Sequence, residues 1–164
     1  MKVNDDKSYW PKSYEELKKY KSRCELQAKI IVSEDKNGGS SQHVAKNEKA
    51  NLHKVYQYLL DGDIIPHGKG STRADFLLID ETAGTARIIE LKARNFDKAL
   101  NQVQITDQQL KPIFRERGLN VLWRIVYTSR THNIPTNRDH KNRKSLKQKY
   151  PQLEYKDRKM VEQL

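Results

Sequence analysis

The sequence predicts an α/β protein, a mixed β-sheet flanked by helices, and three observations carry that expectation. Two short apolar stretches, ADFLLID (Ala74 to Asp80) and ARIIELKA (Ala86 to Ala93), are separated only by Glu81-Thr82-Ala83-Gly84, which makes them a β-hairpin. A third apolar run, Asn120 to Ser129 (NVLWRIVYTS), reads as another strand. Between them lies a polar, helix-prone segment long enough to carry the chain back over the sheet, so the third strand joins the hairpin by a crossover. At 164 residues the chain is expected to form one domain, residues 1–164, with its own core.

Taken in order, Ser13 followed by Glu16 forms a capping box, and Leu17, Tyr20, Cys24, Ala28 and Ile31 recur at helical spacing, predicting a helix over 14–32. The Asn37-Gly38-Gly39-Ser40-Ser41 stretch reads as a flexible loop, either a lid or a plain connector, and closes an N-terminal part spanning 1–42. A second helix is predicted from His43 to Leu60. At about 100° per residue, Val44, Val55, Leu59 and Leu52 share an arc with Glu48 at its centre. Glu48 is then either a buried acid facing the hairpin, as a third ligand or a holder of water, or a wet residue on a first turn that projects past the core.

Asp61-Gly62-Asp63 ends that helix, Ile64-Ile65-Pro66 suggests a short edge strand, and the basic, glycine-rich run from His67 to Arg73 leads into the hairpin. Lys69, Arg73 and, just past the second strand's charges, Arg94 are candidate phosphate contacts. The helix after the hairpin covers Phe96 to Lys111, with Pro112 marking its end or a kink. Residues 43–129 form the expected catalytic core. From Arg130 to Leu164 there are ten Lys or Arg against four Asp or Glu, while Leu146, Tyr150, Leu153 and Tyr155 give this basic C-terminal segment apolar anchors to fold onto the body.

Charge points to the partner. The formal net charge is +11 with a pI near 9.7, which favours polyanions, nucleic acid or an acidic membrane surface. No apolar run approaches a bilayer span, and the amino terminus lacks the apolar stretch of a signal peptide, so a cytoplasmic protein is expected. The single cysteine, Cys24, excludes an intramolecular disulfide or a multi-Cys zinc site and is expected to pack in a helix. Five scattered histidines lack metal-ligand spacing, and neither a glycine-rich phosphate loop nor a Gly-x-Ser-x-Gly elbow is present.

The hairpin holds the chemistry. Asp75, Glu90 and Lys92 interrupt apolar strands, and charges there need a partner. If Asp80 pairs with Thr85, Asp75 falls opposite Glu90, and strand alternation adds Lys92 to the same face. Two opposed carboxylates repel unless a cation bridges them, and Mg²⁺ commonly uses one or two carboxylates with substrate phosphates. The alternative is a hairpin whose charges lie on a solvated face. This pairing holds only in that register, since a one-residue slip reverses every side chain.

The order helix with Glu48, strand with Asp75, strand with Glu90-Leu91-Lys92, helix, strand resembles the PD-(D/E)xK nuclease superfamily over residues 44–129. Ala74 stands where the motif's proline would be. The resemblance implies a restriction-endonuclease-like three-layer α/β core. It also implies Mg²⁺ or Mn²⁺ held by Asp75, Glu90 and the Leu91 carbonyl, with Glu48 as the helix-borne acid and Lys92 at the attacking water. It implies a glutamine on the following helix too, here Gln102, with Gln104 and Gln108 as competitors. The function implied is phosphodiester hydrolysis in nucleic acid, DNA favoured over RNA, with a homodimer if both strands of a duplex are cut. A non-catalytic nucleic-acid-binding protein on the same fold, and a scaffold for an acidic protein, are the rival readings.

Overall fold

A computed structural model describes residues 9–35, 41–70, 72–135 and 140–164, and of residues 92–94 and 140–141 the backbone alone. Helix α1 (Tyr14–Lys18) is followed by strands β1 (Ile30–Glu34), β2 (Gln42–Lys46), β3 (Val55–Leu59), β4 (Phe76–Asp80) and β5 (Thr85–Asn95). Then come α2 (Phe96–Arg117), β6 (Asn120–His132), α3 (His140–Lys149), β7 (Leu153–Asp157) and β8 (Lys159–Gln163). The larger sheet has the order β3-β4-β5-β6-β7, the smaller β1-β2-β8. Both are mixed: β3, β4 and β5 run antiparallel, while β5, β6 and β7 are parallel; β1 opposes β2, and β8 runs along it.

The hairpin has the predicted register, with Asp80 paired to Thr85 and Phe76 to Ile89. Gly84 closes its turn at φ 67°, a conformation that favours glycine, and the buried Asp80 accepts the Ala83 N–H at 2.9 Å and meets His53 Nδ1 at 2.7 Å. The crossover is also as expected, since α2 carries the chain from β5 to a parallel β6. Pro112 neither ends nor bounds α2, which continues to Arg117 and stops at Gly118 in the left-handed conformation.

Strand alternation divides the core in two. Leu77, Ile79, Ile88 and Ile125 pack under Val103, Leu110 and Phe114 of α2 and Leu17 of α1, and Leu146, Tyr150 and Tyr155 join this cluster at its margin. Phe76, Leu78, Ile89, Leu91 and Val126 face the opposite way, against Ile31, Ala45 and Met160 of the smaller sheet. The layers are therefore helices, sheet, sheet, and the second face is covered by strands where helices were expected.

That second face carries one ionic centre. Glu162 of β8 accepts from Arg87 Nε at 2.9 Å and Arg124 Nε at 3.1 Å, and its Oε1 lies 2.7 Å from His43 Nε2, tying β2, β5, β6 and β8 together. Arg87, Arg124 and His43 are all buried.

One predicted helix is cut short and another is absent. Helix α1 begins as expected, with Ser13 Oγ accepting the Glu16 N–H at 3.1 Å, but ends at Lys18. Beyond it the Arg23 N–H donates to the Gln57 carbonyl at 2.7 Å and Ser22 Oγ accepts from the Gln57 N–H at 3.0 Å, so bonds to β3 replace helical ones. Cys24 is half-buried in this irregular segment, not in a helix. The second expected helix is the β2-turn-β3 unit. Asn47 builds its turn, accepting from the His53 N–H at 2.9 Å and donating to the carbonyls of Ala28 at 3.1 Å and His53 at 3.0 Å. Residues 36–40, where the lid or connector was expected, lie outside the described residues. The expected edge strand at Ile64-Ile65 is a buried turn with a single bridge from Asp61 to Ile65.

Candidate active site

Asp75 stands one residue before β4, where the ladder breaks. Its carbonyl accepts the Leu60 N–H at 2.8 Å, its own N–H donates to Ile89 O at 3.1 Å, and its carboxylate accepts the Leu91 N–H at 2.8 Å. Asp75 thus leaves the simple pair with Glu90 and sits across Ile89 to Leu91, its charge still acting on Glu90. Glu90 is 5% exposed, and its Oε2 is buried without a hydrogen-bond partner.

Both acids are held away from their ordinary ionisation. Burial raises Asp75 to about 6; the Leu91 N–H opposes that rise, and the charges of Asp61 and Asp35 add to it. Burial and then the Asp75 charge push Glu90 well above the usual carboxylate range, only partly offset by the Asp75 N–H and Lys98. Around Asp75 opens a cavity of about 380 Å³ whose lining includes Glu34, Asp35, Asp61 and His67. Acidic groups from β1, from the end of β3 and from the start of β4 therefore converge on one end of the hairpin.

The segment leading to Asp75 is fixed from two sides. Thr106 Oγ1 of α2 accepts the Ala74 N–H at 2.8 Å, and Gln102 Nε2 donates to the Arg73 carbonyl at 3.1 Å. Gln102 therefore reaches the site's margin, while Gln104 bonds the Tyr150 hydroxyl at 2.6 Å and Gln108 is exposed. Arg73 does not extend toward solvent as a phosphate contact. Its guanidinium donates to Asp61 Oδ1 at 2.7 and 3.1 Å and to the Pro66 carbonyl at 3.3 Å, folding the 61–70 loop against the strand. Lys69 is exposed on that loop.

Gly70 completes the loop at φ 68°, and a Cβ there would come within 2.8 Å of Ile65 Cγ2. Gly70→Ala is expected to cost about 1–2 kcal/mol from the left-handed backbone alone, with the clash adding to it. Thermal melting with and without the substitution checks this.

Glu48 is the clearest correction: it is exposed in the β2–β3 turn, so the helical stripe that singled it out does not exist. Lys92 and the Leu91 carbonyl lie on β5 beside Glu90. The β5–β6 register shifts between Leu91 and Ala93, so Lys92 sits at a bulge, where simple alternation no longer assigns its face. The side chains of Lys92 and Arg94 lie outside the described residues. Asp61, Asp35, Glu34, His67 and Thr106 were not anticipated. The signal for Asp61 was available: VYQYLL, rich in Val and Tyr, fits a strand ending just before it.

Compared with protein-family models, with curated proteins and with solved structures, the chain has no match. Among the described residues no three His, Cys, Asp or Glu side chains are grouped closely enough to hold a metal ion. The hairpin offers fewer donors: two carboxylates, one with a buried oxygen that lacks a hydrogen-bond partner. That set fits Mg²⁺ or Mn²⁺, which complete their coordination with water and phosphate oxygens.

Proposed function

We propose that the chain is a metal-dependent nuclease that hydrolyses phosphodiester bonds in nucleic acid, with DNA the favoured substrate, on a restriction-endonuclease-like fold. One observation carries the reading: half-buried Asp75 and buried Glu90 meet at a break in the hairpin, close enough for the Asp75 charge to oppose ionisation of Glu90. Such a pair is costly to keep ionised unless a cation joins it. Support for the finer fold comes from the antiparallel β3-β4-β5 meander followed by α2 and a parallel β6. The +11 net charge fits a polyanionic substrate.

In this reading Asp75, Glu90 and the Leu91 carbonyl hold Mg²⁺ or Mn²⁺. The bound ion would polarise a phosphoryl oxygen and lower the pKa of its water. Asp75 is oriented by the Leu91 N–H, and Gln102 and Thr106 act as positioning residues by fixing Arg73 and Ala74. Lys92 keeps the place that the resemblance assigns it, beside the attacking water.

Calorimetric titration with Mn²⁺ tests the metal half of the proposal. Binding by the wild type that is lost in Glu90→Gln is expected. A protein that binds DNA in a salt-sensitive way yet takes up no Mn²⁺ would instead be a binding module.

A further inference from the structure

A second cavity opens between α3, β6 and β7, of about 480 Å³ and within the size range of small-molecule sites. Two tyrosine rings line it, Tyr127 and Tyr155, their centroids 6.3 Å apart and their planes tilted by 47°. Tyr155 is held in place: its hydroxyl donates to the Pro135 carbonyl at 3.1 Å, and its ring meets Phe96 edge-on at 5.0 Å. Arg143, Lys147 and Lys156 bring three cations to the same lining, against one carboxylate from Glu154.

Aromatic faces beside cations are what an unstacked nucleotide requires. Bases of any sequence stack on the rings, and phosphates are drawn to the charges. An acidic peptide would use the cations and leave the rings idle. We infer that this cleft is a nucleotide pocket, in which an unpaired base stacks on Tyr127 or Tyr155 while its phosphate meets Arg143 and Lys147.

Its position in the sheet ties it to the acid pair. Leu91 of β5 is in register with Val126 of β6, and Val126 with Lys156 of β7; Tyr127 pairs in turn with Ala93 and Asp157. Two strand spacings, about 10 Å, separate Leu91 from Lys156 across the three parallel strands. A strand with a phosphate at Asp75 and Glu90 can therefore place a nearby nucleotide in the cleft. The inference rests on the proposed nuclease reading for its polyanionic substrate and sharpens it: a paired base cannot enter, so the substrate carries unpaired nucleotides near the cut.

Fluorescence anisotropy with a labelled oligo-dT strand and a blunt duplex, both in EDTA, tests the pocket without requiring cleavage. The wild type is expected to prefer the single strand. Tyr127→Leu should weaken single-strand binding about tenfold, Tyr127→Phe should retain it, and duplex binding should be unchanged in both. Wild-type affinity for the single strand in Tyr127→Leu, or an equal loss on both ligands, overturns the pocket. If Tyr127→Leu does not fold, photocrosslinking of a 5-iodouracil strand to the wild type decides. Adducts on Tyr127 or Tyr155 support the inference, and adducts confined elsewhere overturn it. Selective single-strand binding without Mg²⁺-dependent cleavage would keep the pocket and remove the nuclease; cleavage with no tyrosine dependence of binding would do the reverse.

Discussion

Asp75→Asn is expected to abolish cleavage, by at least about a thousandfold, while making the metal-free protein more stable. Asparagine keeps an oxygen for the Leu91 N–H but removes the charge that opposes Glu90. The pH dependence follows from the raised pKa of Asp75. A carboxyl whose folded value, about 6, exceeds its ordinary 3.8 favours folding while protonated, and that contribution is lost as pH rises from 3.8 through 6. At neutral pH the ionised Asp75 therefore costs on the order of 3 kcal/mol, and its neutral replacement should raise Tm by several degrees. Mn²⁺ should stabilise the wild type by mass action and leave the variant's Tm unmoved. Thermal melts of both proteins at neutral and acidic pH, with EDTA or Mn²⁺, check the stability effects, and a cleavage assay in Mg²⁺ checks the loss of activity.

Glu162→Gln should have the largest effect on folding. The substitution keeps the shape of the side chain but leaves Arg87 and Arg124, 6% and 5% exposed, without their counter-charge. Breaking a buried ion pair from one side costs roughly 3–5 kcal/mol, here a fall in Tm of about 10 °C. Burial alone would raise the Glu162 carboxyl, yet hydrogen bonds from His43 and Arg124 and the two guanidinium charges hold it far below its ordinary 4.5. A depressed carboxylate stabilises above its unfolded pKa, so this contribution is present at neutral pH and is lost as pH falls below 4.5. Wild-type melts should decline steeply in that acid range, and Glu162→Gln should show a shallower decline from a lower start.

Local rules reached the hairpin and stopped short of its surroundings. Asp80, Gly84 and Thr85 specify a turn and a register from adjacent residues, so pairing could be counted out from the loop as far as Phe76 and Ile89. One step further, tertiary bonds to Leu60 and Leu91 decide where Asp75 points, and no local pattern encodes them. The β2-turn-β3 unit misled for a different reason. Val44, Leu52, Val55 and Leu59 match a helical arc, but no apolar residue lies on that arc between Val44 and Leu52, where Asn47 builds a turn from contacts distant in sequence. Glu48 inherited its place from that arc. Asp61 and Asp35 escaped because the site is assembled from strand ends, and the ends depend on which strands pair.

Cleavage itself decides whether the acid pair is catalytic. Wild type and Asp75→Asn are incubated side by side with duplex DNA, single strands, branched junctions and tRNA, in Mg²⁺ and in EDTA. Cutting of at least one substrate by the wild type in Mg²⁺ is expected, with none in EDTA and none by the variant under either condition. Full cutting by Asp75→Asn, or by the wild type in EDTA, would contradict it.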